Sequence, residues 1–417
     1  LKVLLLDKGD IGGGTSSWST RLIHGGLRYL EYGEFGLVRE SLREREVLLR
    51  IAPHLVRPLP ILVPVYETAR RGLWTIRAGL TAYDLLSFGK MLPGHRMLSR
   101  AEALLLAPGL DPEGLKGMAS YYDAQVEFAE RLVLENVIAA AAHGATVRTY
   151  ARVTDFLCED GRVRGVAFVD QLNGGQHSAR AEIVVNAAGP WVDQVLEQGS
   201  AASPPLIGGT KGSHIIVATF PGALSTALYI EAITDGRPFF IIPWNGRYLI
   251  GTTDVRYTGD LDQVHIEPDE IDYLLRETNR LFPKANLTPQ EILYTYSGVR
   301  PLPFTEDKNE RSITRRHFIR RHPQWENVLS IVGGKLTTYR SLAEQAVNLI
   351  FKKLGRESAE CTTAEVPLPG AACPDLKAFT REFKRSGVFS PITSERLVRV
   401  YGTRATELRE LVSQDPS

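Results

Sequence analysis

The densest run of chemically capable residues is Thr15-Ser16-Ser17-Trp18-Ser19-Thr20-Arg21-Leu22-Ile23-His24-Gly25-Gly26-Leu27-Arg28-Tyr29-Leu30. Small hydroxyl residues and glycines let backbone N–H groups approach an anionic or planar ligand closely. Arg21, His24 and Arg28 add positive charge within the same segment. Taken alone, the segment also reads as a solvated loop with one hydrogen-bonded histidine. Two later strings have the same character. Arg300 follows a Ser-Gly turn and precedes Pro301, which is expected to fix its backbone, although a surface arginine is the alternative. Gly333-Gly334-Lys335-Leu336-Thr337-Thr338 reads as a strand-to-helix turn, with or without a ligand at its backbone donors.

The elements that must position these residues follow from periodicity. Leu1 to Leu6 is an apolar strand closed by Asp7, and residue 1 is not Met, so we expect a fragment whose upstream part is missing. In a dinucleotide-binding fold the second strand ends in an acid that holds ribose hydroxyls; Asp7 suits that place, and a turn residue is the other reading. The glycine fingerprint would then lie upstream of Leu1. Residues 36–52 have the spacing of an amphipathic helix, with Leu37, Leu42, Leu48, Leu49 and Ile51 on one face and Arg and Glu on the other. Residues 58–66 are extended and 72–88 helical. Asp123 is expected to cap a long helix running to about Ala142. Short strands follow at 145–157, 162–170 and 179–186, the last ending in Asn186-Ala187-Ala188-Gly189-Pro190-Trp191. Residues 205–325 read as strands and turns around one helix at 268–281. Residues 338–354 and 375–412 are helical.

At 417 residues the chain is long enough for two or three domains. Lys plus Arg is 49 against 48 Asp plus Glu, a net charge of +1, which excludes a strongly basic nucleic-acid binder. The three cysteines, Cys158, Cys361 and Cys373, form no CxxC pair and support neither a disulfide framework nor a metal site.

Six strings, in order along the chain, resemble the FAD-dependent glycerol-3-phosphate dehydrogenases of the D-amino-acid-oxidase-like flavoproteins. They are the Thr15–Leu30 segment; Glu44-Arg45-Glu46-Val47-Leu48-Leu49 with Ala52-Pro53-His54-Leu55; Asn186 to Trp191; Lys211-Gly212-Ser213-His214-Ile215-Ile216-Val217; Ile242-Pro243-Trp244 with Gly251-Thr252-Thr253-Asp254; and Tyr296-Ser297-Gly298-Val299-Arg300-Pro301-Leu302 followed by Gly333 to Arg340. The likeness reaches to about residue 360. It implies an α/β fold: a Rossmann-type FAD-binding domain lacking its first strand and fingerprint (1–57, 121–204 and 326–360), an antiparallel-sheet substrate domain (58–120 and 205–325), and the start of a truncated C-terminal helical domain (361–417).

The resemblance also implies roles. Asp7, Thr15, Ser16, Ser17, Ser19, Arg21, Leu22, His24, Ala188, Gly189, Gly334, Lys335, Leu336 and Thr337 would meet FAD. Arg28, Tyr29, Arg300, Arg315 and Lys335 would bind glycerol 3-phosphate, since a phosphate dianion in a closed pocket needs several cationic donors. His214, with His24 as the other candidate, would take the C2 hydroxyl proton while hydride passes from C2 to the flavin, and Arg300 would stabilise developing oxyanion charge. The run from Gly251 to Tyr296 has no room for the long insertion of the related oxidases, so the expected electron acceptor is a membrane quinone. A peripheral site on the inner face of the cell membrane follows, with residues 70–90 as a basic and aromatic contact. A homodimer is a possible assembly. The alternatives are an amine or 2-hydroxy-acid oxidoreductase and a non-catalytic remnant.

Overall fold

The computed structural model describes residues 1–87, 89, 91–199, 204–306 and 313–414. Its centre is a large mixed sheet running Val255–Arg256, Thr210–Val217, Arg247–Gly251, Pro238–Trp244, Ala227–Glu231, Val56–Tyr66, Leu115–Val126 and Leu22–Ile23. Ile292–Arg300 also pairs with Thr210–Val217, and Arg96–Ser99 with Leu115–Val126. Side chains alternate across this sheet, as the two-residue strand period requires. Leu62, Ile215 and Ile250 pack on one face with the helix Pro268–Leu281. Ile61, Val63, Ile216 and Leu249 pack on the other with the helix Leu73–Leu86.

Three smaller sheets belong to the nucleotide-fold half. Leu4–Leu6 pairs in parallel with Thr146–Arg148. Val184–Asn186 pairs in parallel with Val328–Gly333, which pairs with His317–Arg321. A meander is built from Ala151–Glu159, Arg162–Asp170 and Gln176–Arg180. This is the expected α/β architecture, and a helical C-terminal region follows at Leu376–Arg385, Pro391–Tyr401 and Ala405–Gln414. Asp375 and Ser390 cap the first two of those helices through their side chains. The expected segment boundary at residue 121 falls inside the strand Leu115–Val126, and Leu22–Ile23 joins the same sheet.

The helix at 268–281 forms as read, with Pro268 at its first position and a capping box between Glu267 and Glu270. Three readings are corrected. Asp123 caps no helix: it lies in the strand Leu115–Val126, and the helix Ala129–Ala142 starts after Phe128. The expected strand 179–186 is two strands in different sheets, because the chain turns between Arg180 and Val184. In the helix Phe35–Ile51, Glu44 and Arg45 are buried with the leucines rather than solvated. Each has a partner: Glu44 accepts both Nε (2.8 Å) and Nη2 (2.7 Å) of Arg340, on the helix Tyr339–Lys353. That fork joins two helices distant in sequence, and its loss leaves a carboxylate buried and uncompensated. Arg340→Ala is expected to lower unfolding stability by about 3 kcal/mol in denaturant titration; a change below about 1 kcal/mol would show that the pair is only a surface contact.

Candidate active site

Arg300 ends the strand Ile292–Arg300, opposite Thr210. Its guanidinium donates to Asp254 Oδ1 (3.0 Å), Thr210 Oγ1 (3.3 Å), Thr252 Oγ1 (3.1 Å) and the Thr253 carbonyl (3.2 Å). Gly212 makes this possible, since a methyl group there would sit 2.3 Å from Arg300 Nη2. Arg315 reaches the other oxygen of Asp254 at 3.5 Å, and its Nη1 is buried without a partner. Burial pushes the Asp254 carboxyl up, but Arg300 and Arg315 more than offset this and leave it below the usual range. Burial, and then Arg300, lower the affinity of Arg315 for its own proton. Of the expected arginine run, Arg311 and Ser312 lie outside the described residues.

Lys335 approaches from the opposite side. Its Nζ donates to the carbonyls of His24 and Gly25 at 3.3 Å each and lies 4.8 Å above the Tyr29 ring. Burial lowers its pKa to about 7, with Asp123, Glu40 and Glu34 opposing the shift. Tyr29 and Arg28 belong to the short helical turn Leu27–Tyr32, and both act electrostatically on Arg315. Gly26 is left-handed (φ 84°), and a methyl group there would collide with the Tyr29 ring. Arg28, Tyr29, Arg300, Arg315 and Lys335 are thus brought together from four separate segments.

Two imidazoles flank this group. His214 is buried on the strand Thr210–Val217, with Nε2 2.9 Å from Thr20 Oγ1 and its ring 4.7 Å from that of Tyr296. Its Nδ1 has no partner. Burial, then Arg300 and Arg21, hold it well below 6.5, so it is neutral at pH 7. Gly251 leaves room for the ring. Burial, then Lys335, lower His24 to about 3, so it too is neutral.

The residues expected at the cofactor occupy adjoining segments. Thr15 Oγ1 donates to the Val299 carbonyl (2.6 Å), tying that loop to the Arg300 strand. Ser19 Oγ bonds the Ser16 carbonyl (2.9 Å), and Ser17 bonds the Gly12 carbonyl. Arg21 has a positive φ (58°); its charge is taken by Glu130 (2.6 Å), so it is a buried brace rather than a free cation. Leu22 pairs with Gln125. The His24 N–H bonds Thr337 Oγ1 (3.1 Å), which joins the first segment to the Leu336–Thr338 turn. Ala188 N–H bonds Asn186 Oδ1 (3.2 Å), and Gly189 opens on free space. Gly334 is left-handed at φ 96°. Asp7 accepts from the Gly9 N–H (2.9 Å), closing its own turn.

These residues fit FAD. The Gly189 turn opens on free space, Gly334 takes a left-handed conformation that bares its backbone, and Thr338 Oγ1 is a buried polar atom without a partner. Sequence reasoning missed Asp254 as the anchor of both arginines, although its string was in view. It missed entirely the Arg45, Tyr83 and Asp123 cluster beneath Gly25. Lys211, from a quoted string, is neutralised by Glu270 at 2.8 Å. Gly212→Ala is expected to displace the Arg300 guanidinium and lower kcat/KM roughly tenfold, with flavin content unchanged. An unchanged kcat/KM would remove Arg300 from the reacting centre.

Comparisons with known proteins bear on the family and its cofactor. The profile of the FAD dependent oxidoreductase family (DAO) matches residues 1–340. A glycerol-3-phosphate dehydrogenase of Synechocystis sp. is 50% identical over 429 residues, spanning 100% of this chain and 77% of that protein. An aerobic glycerol-3-phosphate dehydrogenase of Staphylococcus haemolyticus is 34% identical, spanning 100% of this chain and 76% of that protein. The crystal structure of the Bacillus halodurans glycerol-3-phosphate dehydrogenase complexed with FAD superposes with a TM-score of 0.80 at 29% identity, over 99% of this chain and 74% of that one. The chain belongs to the FAD dependent oxidoreductase family, and FAD is its cofactor.

Proposed function

We propose that the protein oxidises sn-glycerol 3-phosphate to dihydroxyacetone phosphate and passes the electrons to a membrane quinone. The observation that carries this reading is the convergence of Arg28, Arg300, Arg315 and Lys335. Among the described residues, Asp254 is the carboxylate ion-paired to that group. One substrate carboxylate needs a single arginine fork, whereas a phosphate dianion calls for several donors. The relatives' names support the same substrate.

FAD, when bound, supplies the two-electron acceptance that the polypeptide lacks. The protein's own residues do the rest. Arg315, Lys335 and Arg28 hold the phosphate and thereby fix the C2 carbon. His214, oriented by Thr20 and Tyr296, presents neutral Nδ1 as the acceptor for the C2 hydroxyl proton. Arg300, whose charge already acts on His214, stabilises the oxygen as negative charge develops on it. A dianion placed among these groups raises the basicity of the imidazole, because an opposite charge favours the protonated form.

The quinone implies a membrane surface, and we assign the inner face of the cell membrane. In the helix Leu73–Leu86, Ile76, Leu80 and Tyr83 pack on the sheet. Trp74 (81% exposed) and Leu85 (75% exposed) share the outer face with Arg77, whose guanidinium lies over the Trp74 ring at 5.7 Å. Phe88 and Lys90, from the same expected contact, lie outside the described residues. An apolar outer face with a basic rim supports interfacial binding.

Anaerobic mixing with sn-glycerol 3-phosphate is expected to bleach the flavin band, and a quinone analogue should reoxidise it faster than oxygen does. Bleaching by amino or 2-hydroxy acids but not by glycerol 3-phosphate would overturn the substrate; faster reoxidation by oxygen would overturn the acceptor. The affinity for substrate should peak between two limbs. Below a pH of about 6 the phosphate becomes a monoanion, and above about 7 Lys335 loses its proton and the positive charge of the site falls. The double variant Trp74→Ala, Leu85→Glu should sediment poorly with anionic phospholipid vesicles yet reduce a soluble dye normally; full sedimentation would remove this helix from the membrane contact.

A further inference from the structure

We propose that Arg45, Asp123 and Tyr83 form a buried positioning unit for Lys335, acting through the peptide group that joins His24 to Gly25. The inference rests on the substrate reading above and goes beyond it, because none of the three residues faces the site directly.

The geometry is a chain of hydrogen bonds through one peptide plane. On one side, the Gly25 N–H donates to Tyr83 Oη (2.8 Å) and to Asp123 Oδ1 (3.3 Å). On the other, the carbonyl of the same peptide, that of His24, accepts from Lys335 Nζ (3.3 Å). Tyr83 Oη lies 2.9 and 2.8 Å from the two oxygens of Asp123. Arg45 Nη1 holds the same carboxylate at 2.6 Å and also bonds the Tyr122 carbonyl (3.1 Å), while Arg45 Nη2 bonds Glu46 (2.8 Å). Arg45 and Asp123 are each 1% exposed, and Tyr83 is equally enclosed.

A buried ion pair contributes little net stability, since desolvation offsets most of its attraction. Its placement here has a directional effect. A carboxylate behind the N–H end of a peptide polarises that peptide, so its carbonyl becomes a better acceptor for an ammonium. The buried anion therefore reaches Lys335 through a rigid relay, while the ammonium, with two protons on the His24 and Gly25 carbonyls, keeps its third for a phosphate. Gly25 is required by the same contact: a methyl group there would lie 2.4 Å from Tyr83 Oη. Other charges also face Lys335. Glu34 and Glu40 favour its proton, Arg315 opposes it, and neutral His24 and the Tyr29 ring lie beside it.

The test uses the FAD-loaded enzyme and stopped-flow reduction by sn-glycerol 3-phosphate. Tyr83→Phe removes the shorter arm of the relay and keeps the direct Gly25–Asp123 contact and the Arg45–Asp123 pair. Its KM is expected to rise about tenfold with kcat nearly unchanged and flavin retained. Asp123→Asn removes the anion, so the alkaline limb of the affinity profile should move down by roughly one pH unit. In a Lys335→Met background, Tyr83→Phe should add nothing further, since the two changes remove one coupled interaction. If Asp123→Asn does not fold, Tyr83→Phe and the double variant decide. Wild-type KM in folded, flavin-loaded Tyr83→Phe, or an unshifted alkaline limb in folded Asp123→Asn, would overturn the proposal and leave the substrate reading intact. Additive effects of Tyr83→Phe and Lys335→Met would do the same. Failure of the unaltered enzyme to oxidise glycerol 3-phosphate would overturn both.

Discussion

Like charges held together out of water repel, and that repulsion organises the site. Arg315 lies in the field of Arg300 and itself acts on Lys335, and burial weakens the hold of Arg315 and Lys335 on their protons. A folded chain tolerates this only when each cation meets a fixed acceptor. Asp254 serves the two arginines, and the backbone carbonyls of His24 and Gly25 serve Lys335. The compensation is partial by construction. One carboxylate faces two guanidiniums, and carbonyl dipoles face a full charge. In the proposed function, a dianion entering the cluster relieves the repulsion, so binding draws on electrostatic tension that folding has already set in place.

The sheet supplies the rigidity this needs. Thr210–Val217 is the common neighbour of Arg247–Gly251, Val255–Arg256 and Ile292–Arg300, so His214, Thr252, Asp254 and Arg300 are all referred to one strand. Glycine occurs where two of these groups must cross. Gly212 passes under Arg300, and Gly251 passes under His214. Substitution at either would move a guanidinium or an imidazole rather than only fill space. The apolar packing on both sheet faces holds that strand flat against displacement.

Buried charge recurs away from the substrate with a different role. Glu44 and Arg340 lock the helix Phe35–Ile51 to the helix Tyr339–Lys353, just behind the turn that carries Lys335. Arg45, the next residue along, turns to the opposite partner, Asp123. Two adjacent charged residues of one helix thus fasten both walls of the site. Arg399 joins the C-terminal helices to Glu127 beside the Arg21 brace, so that region is fastened to the same strand end.

Much of this was legible from residue order. Periodicity located the helices at 36–52, 268–281 and 338–354, because an apolar stripe is a local property of the chain. The glycine and hydroxyl strings marked the turns where a ligand can approach the backbone, since few other residues allow such close approach. What the sequence could not reveal was pairing at a distance. Asp123 has the local signature of a helix cap, and only the sheet register and the approach of Arg45 and Tyr83 make it a buried anion. Arg21 looks like a free cation until Glu130 closes on it. The resemblance carried by the ordered strings implied the cofactor class and a cationic substrate site. Which charges remain open to a ligand was decided by tertiary structure, because neutralisation depends on partners as far as 296 residues away that meet only when the chain is folded.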